Sequence, residues 1–345
     1  MANGIWKVAR MAGKILAKKM IQATVMINYQ CNCRCRICNY WREPFRSLPP
    51  MSLTCAHTLA EKLKPLAPLA MCLAGGEPLL HPNLIDLAGL LARDHYLDLV
   101  TNGYLMTPDL AGDLFKFGLS EISVSIDYAL AKEHDAQRGL EGLFDRAAAA
   151  LEYLAAKRVK PEQRVRLVSV VMEDNLDHIE PLSDLCQKLG VKHNLTLYVP
   201  GRGHGGQPAD LSAVVKRLKD IQKRKPALLI VPGYLEGFEG RGRAQCRNGV
   251  NLMAIDPLGR ALRCIDRVDK PAGSIITDDL KVVLAKLKKQ ALENPCNRCW
   301  TSCRGVVEPL LYGPKKIKNW LYQLRAIRSE PIINPCGHGL RGGGD

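Results

Sequence analysis

Apolar and polar residues alternate with two different periods between residues 24 and 199. Short apolar runs, of the length of a buried strand, occur at 24–28, 71–74, 97–100, 122–126, 165–171 and 195–199. Segments of helical period lie between them, at 53–66, 82–93, 108–117, 142–157 and 179–189. Repeated strand and helix units require parallel strands with right-handed crossovers. The pattern predicts an α/β fold, a partial (β/α)6 barrel similar to an open TIM barrel, whose ligands would bind at the C-terminal ends of the strands.

Four cysteines stand close together directly after the first predicted strand, in the sequence CNCRCRIC at 31–38. Cys31, Cys35 and Cys38 are spaced so that a loop can place three thiolates on three corners of an iron–sulfur cube. The fourth iron would have no protein ligand and would be free to bind a small molecule through an amine and a carboxylate. A zinc knot that includes Cys33 is the alternative, although structural zinc usually takes two separated pairs.

This C-x3-C-x2-C spacing resembles the signature of the radical SAM enzymes, whose [4Fe–4S] cluster binds S-adenosylmethionine (SAM) at its open iron. The resemblance implies that Cys31, Cys35 and Cys38 are the cluster ligands. It also implies that the main chain of Ile37 lies against the adenine of SAM, although the residue at this place is often aromatic in the family. Cys33 has no counterpart in the signature, and we interpret it as a bystander.

Gly75, Gly76 and Glu77 follow the second predicted strand. Two glycines allow main-chain groups to approach a ligand closely, and a glutamate can accept hydrogen bonds from an ammonium group. An ordinary tight turn is the alternative for a Gly-Gly pair alone. In the radical SAM family a GGE stretch at this place holds the amino group of SAM, and the resemblance implies that role for these three residues.

Polar residues near the ends of the next three predicted strands are further candidates for binding SAM. Asn102 ends the third strand, and Ser125 and Asp127 would point to the same face of the fourth. Arg138 lies in a stretch that resembles the HD..RG..G run of the family, and its fork suits either the carboxylate of SAM or a surface ion pair. Ser169, on the fifth strand, is a candidate for a ribose hydroxyl.

A second group of cysteines lies in the C-terminal third of the chain. Residues 256–259 predict a hairpin turn between strands at 252–255 and 261–263, which would bring Cys246 and Cys264 towards each other. Cys296 and Cys299 form another pair. By spacing alone, these four thiolates suit zinc as well as an iron–sulfur cluster.

Together with the first motif, this layout resembles the twitch and SPASM extensions of radical SAM enzymes, which hold auxiliary four-iron clusters. The four cysteines fit the shorter twitch form with one cluster. Cys303 and Cys336 stand where SPASM ligands fall, but one cysteine of the full pattern is missing. We therefore expect at least one auxiliary cluster, with Cys303 as a ligand of a second cluster or in place of one of the pair. The cysteines inside apolar segments are interpreted as small buried side chains: Cys55, Cys72 and Cys186.

Glycine-dense residues at 201–206 separate the two halves of the chain. A flexible linker is our interpretation, and a substrate lid or a phosphate-accepting loop is the alternative. A basic helical segment follows at 211–225. These features divide the chain into a basic amphipathic helix (1–20), the barrel (21–200), a linker with a helix (201–240) and a twitch/SPASM-like auxiliary cluster domain with a basic tail (241–345).

The net charge of +15 is concentrated near the two ends of the chain. On a helix at 5–20, four basic residues lie on one side, opposite an apolar side: Lys7, Arg10, Lys14 and Lys18. Such a helix either lies on anionic lipid or packs on the barrel, and the two are equally favoured. No apolar run is long enough to span a bilayer. Thirteen cysteines suggest metal sites in a reducing cytoplasm, at the inner face of the membrane if the helix binds lipid.

The resemblance implies an enzyme that reductively cleaves SAM to a 5′-deoxyadenosyl radical and abstracts hydrogen from a C–H bond, with an electron donor such as flavodoxin or ferredoxin. The basic helix favours an amphiphilic, anionic or membrane-associated substrate. A ribosomal peptide (RiPP) is the next hypothesis, although no leader-binding domain is recognisable before the barrel, and a small-molecule alcohol is a third. A zinc-knot protein that binds RNA is the non-enzymatic alternative, but aromatic residues are only 6% of the chain, and we expect no nucleic acid.

Overall fold

One continuous sheet runs through the computed structural model, which describes residues 2–199, 202–203, 211–231, 233–239, 245–297, 299–313, 319 and 321. Its strands in chain order are β1 Gln22–Asn28, β2 Ala70–Gly75, β3 Tyr96–Thr101, β4 Glu121–Ser125, β5 Arg164–Val171, β6 Lys192–Leu197, β7 Leu228–Leu229, β8 Leu252–Ile255, β9 Arg260–Leu262 and β10 Gly273–Ser274. Among these residues the spatial order is β10-β9-β8-β1-β2-β3-β4-β5-β6-β7.

Helices alternate with the first six strands and continue into the C-terminal part. In chain order they are α1 Ala2–Leu16, α2 Leu53–Leu63, α3 Leu84–Ala92, α4 Pro108–Lys116, α5 Ala131–Arg138, α6 Leu143–Lys157, α7 Ile179–Leu189, α8 Leu211–Arg224, α9 Tyr234–Phe238, α10 Leu280–Leu292 and α11 Ser302–Tyr312. Short 3-10 turns at Lys64–Leu66, Pro78–Leu80 and Leu176–His178 complete the connections.

The predicted parallel α/β architecture is confirmed. Strands β1 to β6 occupy the six apolar runs, and each pairs in parallel with the next along the chain. The five predicted helices are present as α2, α3, α4, α6 and α7, and α7 has the predicted bounds. Parallel strands joined by helices need both faces of the sheet covered, and the outward side chains share one core with the helices.

Strand alternation gives the sheet an inner face with several polar side chains, and this face encloses a space that we call the lumen. In β3, Leu97 and Leu99 are buried in the outer core, whereas Asp98 lines the lumen. In β6, Asn194 and Thr196 line it in the same way. Because successive side chains of a strand point to opposite faces, every second side chain of these two strands faces the lumen.

The predicted C-terminal hairpin is present, and it extends the barrel sheet. Strand β8 pairs in parallel with β1, from Gln22 opposite Leu252 to Val25 opposite Ile255, and β9 returns antiparallel to β8. Gly259 occupies the turn between β8 and β9 with a φ of 73°, a conformation that favours glycine. The C-terminal cysteines are therefore attached to the same sheet as the first cysteine motif.

Helix α1 directs two of its basic side chains, Lys7 and Lys14, to the barrel. The Nζ of Lys14 donates to the carbonyl oxygens of Leu66 (2.6 Å) and Pro68 (2.7 Å). The Nζ of Lys7 likewise donates to the last carbonyl of α3, that of Ala92, at 3.1 Å. Of the two placements considered for this helix, packing on the barrel accounts for Lys7 and Lys14, because these cations satisfy main-chain carbonyl groups. No helix within the described residues is both long enough and apolar enough to cross a bilayer.

Replacing Lys14 by Ala is expected to lower the free energy of unfolding by about 1–3 kcal/mol, since two carbonyl oxygens lose their donor. The matched control is Lys19→Ala, whose side chain is exposed, and which should change stability by less than about 0.5 kcal/mol. Denaturant unfolding of the two variants measures the difference. Equal effects would contradict the packing role of the basic side.

Candidate active site

The loop at 29–41, which we call the cysteine loop, is held from two sides by main-chain hydrogen bonds. On one side, the N–H groups of Arg34 and Arg36 donate to carbonyl oxygens at the end of α5, at 2.9 and 3.0 Å. On the other side, Gly76 N donates to Asn28 O (3.1 Å) and Glu77 N donates to Gln30 O (2.7 Å). The loop is therefore fixed between α5 and the end of β2.

Gly75 and Gly76 lack side chains where the cysteine loop passes. A Cβ atom on Gly75 would lie 2.3 Å from the carbonyl oxygen of Asn28, and one on Gly76 would lie 2.2 Å from that of Gln30. Both distances are far below van der Waals contact with backbone atoms that cannot move away. The glycine pair thus allows the backbone of the loop to pack directly on the end of β2.

The three spaced cysteines face one cavity of about 480 Å³ at the C-terminal ends of the strands. Main-chain N–H groups point at two of the sulfurs: Cys33 N lies 3.4 Å from Cys31 Sγ, and Tyr40 N lies 3.4 Å from Cys38 Sγ. A hydrogen bond from the Cys33 thiol and the charge of Arg138 lower the pKa of Cys35 to about 7, which favours the thiolate. Cys33, interpreted as a bystander, therefore contacts the ligand set.

Seven of the nine candidate cofactor-binding residues line this cavity. They are Ile37, Gly75, Gly76, Glu77, Asn102, Ser125 and Arg138. The carboxylate of Glu77 already accepts from Thr101 Oγ1 (2.6 Å), Asn102 N (2.7 Å) and Leu79 N (3.0 Å). Most of its acceptor capacity is used within the protein, so Glu77 chiefly orients Asn102. The side chain of Asn102 in turn donates to Asn32 Oδ1 at 2.7 Å in the cysteine loop.

Asp127 and Ser169 do not line the cavity, contrary to expectation. Strand β4 ends at Ser125, and the fully buried carboxylate of Asp127 turns away to pair with Arg138 (2.7 Å) and to accept from Val170 N (2.8 Å). Ser169 lies between Val168 and Val170, which do line the cavity, so alternation places its hydroxyl on the other face. There it bonds to Ile126 O and His193 Nε2.

The HD..RG..G stretch builds the support beneath the cavity. His134 Nδ1 accepts from Asp127 N at 3.2 Å, and Asp135 accepts from the N–H groups of Gly142 (2.7 Å) and Phe144 (2.9 Å) at the start of α6. Arg138 forms a buried ion pair with Asp127, so the surface ion pair is excluded and the guanidinium faces the cavity from within a fixed network.

The four C-terminal cysteines face a second cavity, of about 620 Å³. Cys246, Cys264, Cys296 and Cys299 line it together with Cys38 of the cysteine loop. Among the described residues, no group of three or more Cys, His, Asp or Glu side chains converges on a single metal ion. The four sulfurs therefore surround a space and are not drawn together at one point.

Cys303 lies apart from these four. It lines the first cavity, in the first turn of α11, and not the second. Burial raises the pKa of its thiol. Its position in α11 directs it into the lumen, away from the cavity that Cys296 and Cys299 line. Cys336 lies outside the described residues.

The comparisons with known proteins identify the barrel. Residues 25–186 match the family model of the radical SAM superfamily. This segment is a radical SAM domain. The chain is 32% identical over 202 residues to the AdoMet-dependent heme synthase of Methanosarcina barkeri, a match that covers 56% of this chain and 56% of that protein. This match thus spans little more than half the length of that relative.

A second relative and a solved structure match more of the chain. Mycofactocin maturase MftC of Mycobacterium tuberculosis is 24% identical over 308 residues, covering 81% of this chain and 76% of that protein. The fold is similar to that of Streptococcus suis SuiB bound to S-adenosylmethionine, with a TM-score of 0.65 at 16% identity, covering 84% of this chain and 72% of SuiB.

A radical SAM domain implies a [4Fe–4S] cluster and SAM, and the donor set of this chain fits both. Three thiols face one cavity, and two of them receive main-chain N–H groups, which stabilise sulfur ligands of iron–sulfur clusters. The glycine pair, Asn102 and Ser125 leave polar atoms and open space beside them.

Sequence reasoning missed residues that join the two cavities. The Nε and Nη2 atoms of Arg202 donate to the two carboxylate oxygens of Asp266. Tyr40 Oη donates to the same carboxylate at 2.8 Å. Tyr40 and Arg202 line both cavities. Gly203 lies so close to the cysteine loop that a Cβ would be 2.0 Å from Arg36 O. Residues 202 and 203, which were predicted to be part of a linker, thus pack on the site. The sequence feature that could have indicated this contact is the arginine among glycines.

Replacing Gly76 by Ala is expected to displace the cysteine loop and to remove about four irons per reconstituted chain, the content of one cube. Iron analysis of the purified protein measures this loss. The control is Gly112→Ala in α4, whose Cβ would meet only Lys157 Cδ at an ordinary 3.7 Å. Full iron in both variants would contradict the role given to the glycine pair.

Proposed function

We propose that this radical SAM enzyme abstracts a hydrogen atom from a peptide substrate and passes the substrate's electron to an auxiliary [4Fe–4S] cluster held by Cys246, Cys264, Cys296 and Cys299. The observation that carries the proposal is the wall shared by the two cavities, where Tyr40 and Arg202 face both. A substrate radical formed in the first cavity would then lie next to an electron acceptor in the second.

The first cavity supplies the groups that would hold the primary cluster and SAM. Cys31, Cys35 and Cys38 would ligate three irons, and the remaining iron with bound SAM supplies the 5′-deoxyadenosyl radical. The protein's part is to orient and enclose. Glu77 fixes the main chain of Asn102, and Arg138 offers a guanidinium that Asp127 holds in place.

Four thiolates around the second cavity would leave no iron of an auxiliary cluster open. A closed cluster suits electron transfer better than substrate binding, because every iron already has a protein ligand. The external electron donor would be a flavodoxin or a ferredoxin, whose small one-electron cofactors suit the task in a reducing compartment.

A peptide substrate is favoured over a lipid. The similarity to a maturase extends over 81% of this chain, against 56% for the heme synthase. SuiB, which shares the fold, has been solved bound to precursor peptide SuiA. A lipid was favoured by the basic side of α1, but Lys14 of that side donates to carbonyl groups of the barrel. A tetrapyrrole or a small alcohol is the competing class.

Substrate class is tested by 5′-deoxyadenosine formation under strong reductant with separated cell extracts. The peptide fraction is expected to raise the rate at least about tenfold over no addition, whereas lipid, tetrapyrrole and alcohol fractions should not, because only a well-placed C–H bond consumes the radical productively. Stimulation by one of the other fractions alone would replace the peptide proposal.

Anaerobically reconstituted protein is expected to contain about eight irons and about eight sulfides per chain, as in two cubes. Cys35→Ala and Cys264→Ala should each lose about four irons, and only Cys35→Ala should lose SAM cleavage. Cys55→Ala is the control, since Cys55 lines neither cavity. Zinc in place of iron, or cleavage retained in Cys35→Ala, would overturn the proposal.

Cys303→Ala is expected to keep all of the roughly eight irons, because its sulfur faces the lumen and not the second cavity. Iron and sulfide analysis beside Cys264→Ala makes the comparison direct. A loss of iron equal to that of Cys264→Ala would make Cys303 an auxiliary ligand.

A further inference from the structure

The N-terminal half of the lumen, on the side away from the cysteine loop, is lined partly by polar residues that have no part in the proposed radical reaction. Below the first cavity lies a chamber of about 350 Å³ at the N-terminal ends of the strands. The two spaces share part of their lining, including Cys72, Asp98, Glu121, Asn194 and Ser302. A group that enters from the SAM side therefore reaches these side chains.

Two acceptor oxygens at this level are buried and have no hydrogen-bond partner. They are Oδ1 of Asp98 on β3 and Oδ1 of Asn194 on β6. Buried acceptors without a donor cost free energy, and in native proteins they are usually satisfied by a protein group, water or ligand. Two such oxygens on different strands around one space can both be satisfied by one group with several donors.

Two carboxylates and two guanidinium groups line the chamber, and both guanidinium groups pair with the same carboxylate. Glu121 on β4 is paired with Arg164 (3.0 Å) and Arg166 (3.5 Å), both on β5. Asp98 has no ion-pair partner within 4.0 Å among the described residues, and its carboxylate has a hydrogen bond with the thiol of Cys72. Burial and the nearby Glu121 raise the pKa of Asp98 to about 7, so a cation beside it would stabilise its ionised form.

We propose that the lumen binds a primary ammonium group of the substrate between Asp98 and Asn194. An ammonium group has three donors and a positive charge, which match the two acceptor oxygens and the charge of the Asp98 carboxylate. That the ligand is the substrate rests on the proposed function, whereas the preference of the lumen for cations does not. Asp98 and Asn194 would thus set specificity for an amine-bearing peptide.

Cys303 provides a native reporter, since its thiol faces the same cavity as Asp98. Holoenzyme without SAM is treated anaerobically at pH 8 with 2-aminoethyl methanethiosulfonate, a cation, or 2-sulfonatoethyl methanethiosulfonate, an anion. Each reagent forms a mixed disulfide with the thiolate and releases methanesulfinate. Mass spectrometry of the Cys303 peptide gives both rates, each divided by the rate with free 2-mercaptoethanol.

The normalised cation-to-anion rate ratio at Cys303 is expected to be well above one and to fall about tenfold in Asp98→Asn, which removes one nearby charge. Any change in the reactivity of the thiol itself cancels in the ratio. Asp86→Asn, an exposed carboxylate on α3, should leave the ratio unchanged. Asn194→Asp should raise it, and this variant decides the matter if Asp98→Asn does not fold.

Three results would each overturn the proposal. The first is a ratio near one in the parent protein, and the second is a ratio that does not change in Asp98→Asn and Asn194→Asp. The third is no labelling of Cys303 by either reagent. These rates are independent of SAM cleavage. Failure of the ammonium site and failure of the radical SAM assignment are therefore separate results.

Discussion

The backbone of the cysteine loop packs on the end of β2 only because residues 75 and 76 have no side chains. This contact sets the distance between the loop and the end of β2, and the hydrogen bonds from Gly76 and Glu77 set the orientation of the loop. The end of α5 holds the opposite side through Arg34 and Arg36. Three thiols therefore share a cavity because main-chain groups of two separate elements fix the loop that carries them.

The groups beneath this loop form a buried polar network whose members need one another. Arg138 and Asp127 are an ion pair inside the protein, and removing one partner of such a pair typically costs about 3–5 kcal/mol because the other charge is left buried. Asp127 also accepts from Val170 N, and Glu77 accepts three hydrogen bonds. Such a network fixes the orientation of the cavity wall more than it adds to stability, and orientation is what a radical reaction requires of its protein.

The C-terminal segment acts on the site by completing the same sheet. Because β8 pairs with β1, the cysteines that follow the hairpin are brought to the side of the barrel on which the cysteine loop lies. The Asp266 carboxylate then ties Arg202 and Tyr40 into the wall between the two cavities. The proposed electron path, the substrate site and the lumen charge all depend on this one continuous sheet.

The sequence by itself determined the features that depend on neighbours along the chain. These are the six strands and their helices, the spacing of three cysteines in one loop, and the hairpin at 256–259, because period and turn chemistry are local properties. Only the tertiary structure decided which side chains meet. The Asp127 side chain points away from the first cavity because it lies beyond the end of β4. The Ser169 side chain lies on the outer face of β5, one residue from the neighbours that line the cavity. Lys14 is directed inward, where its ammonium group meets main-chain carbonyl groups, and Cys303 lines a different cavity from Cys299 because α11 begins between them. Each of these outcomes depends on partners distant in the chain, which no local pattern encodes.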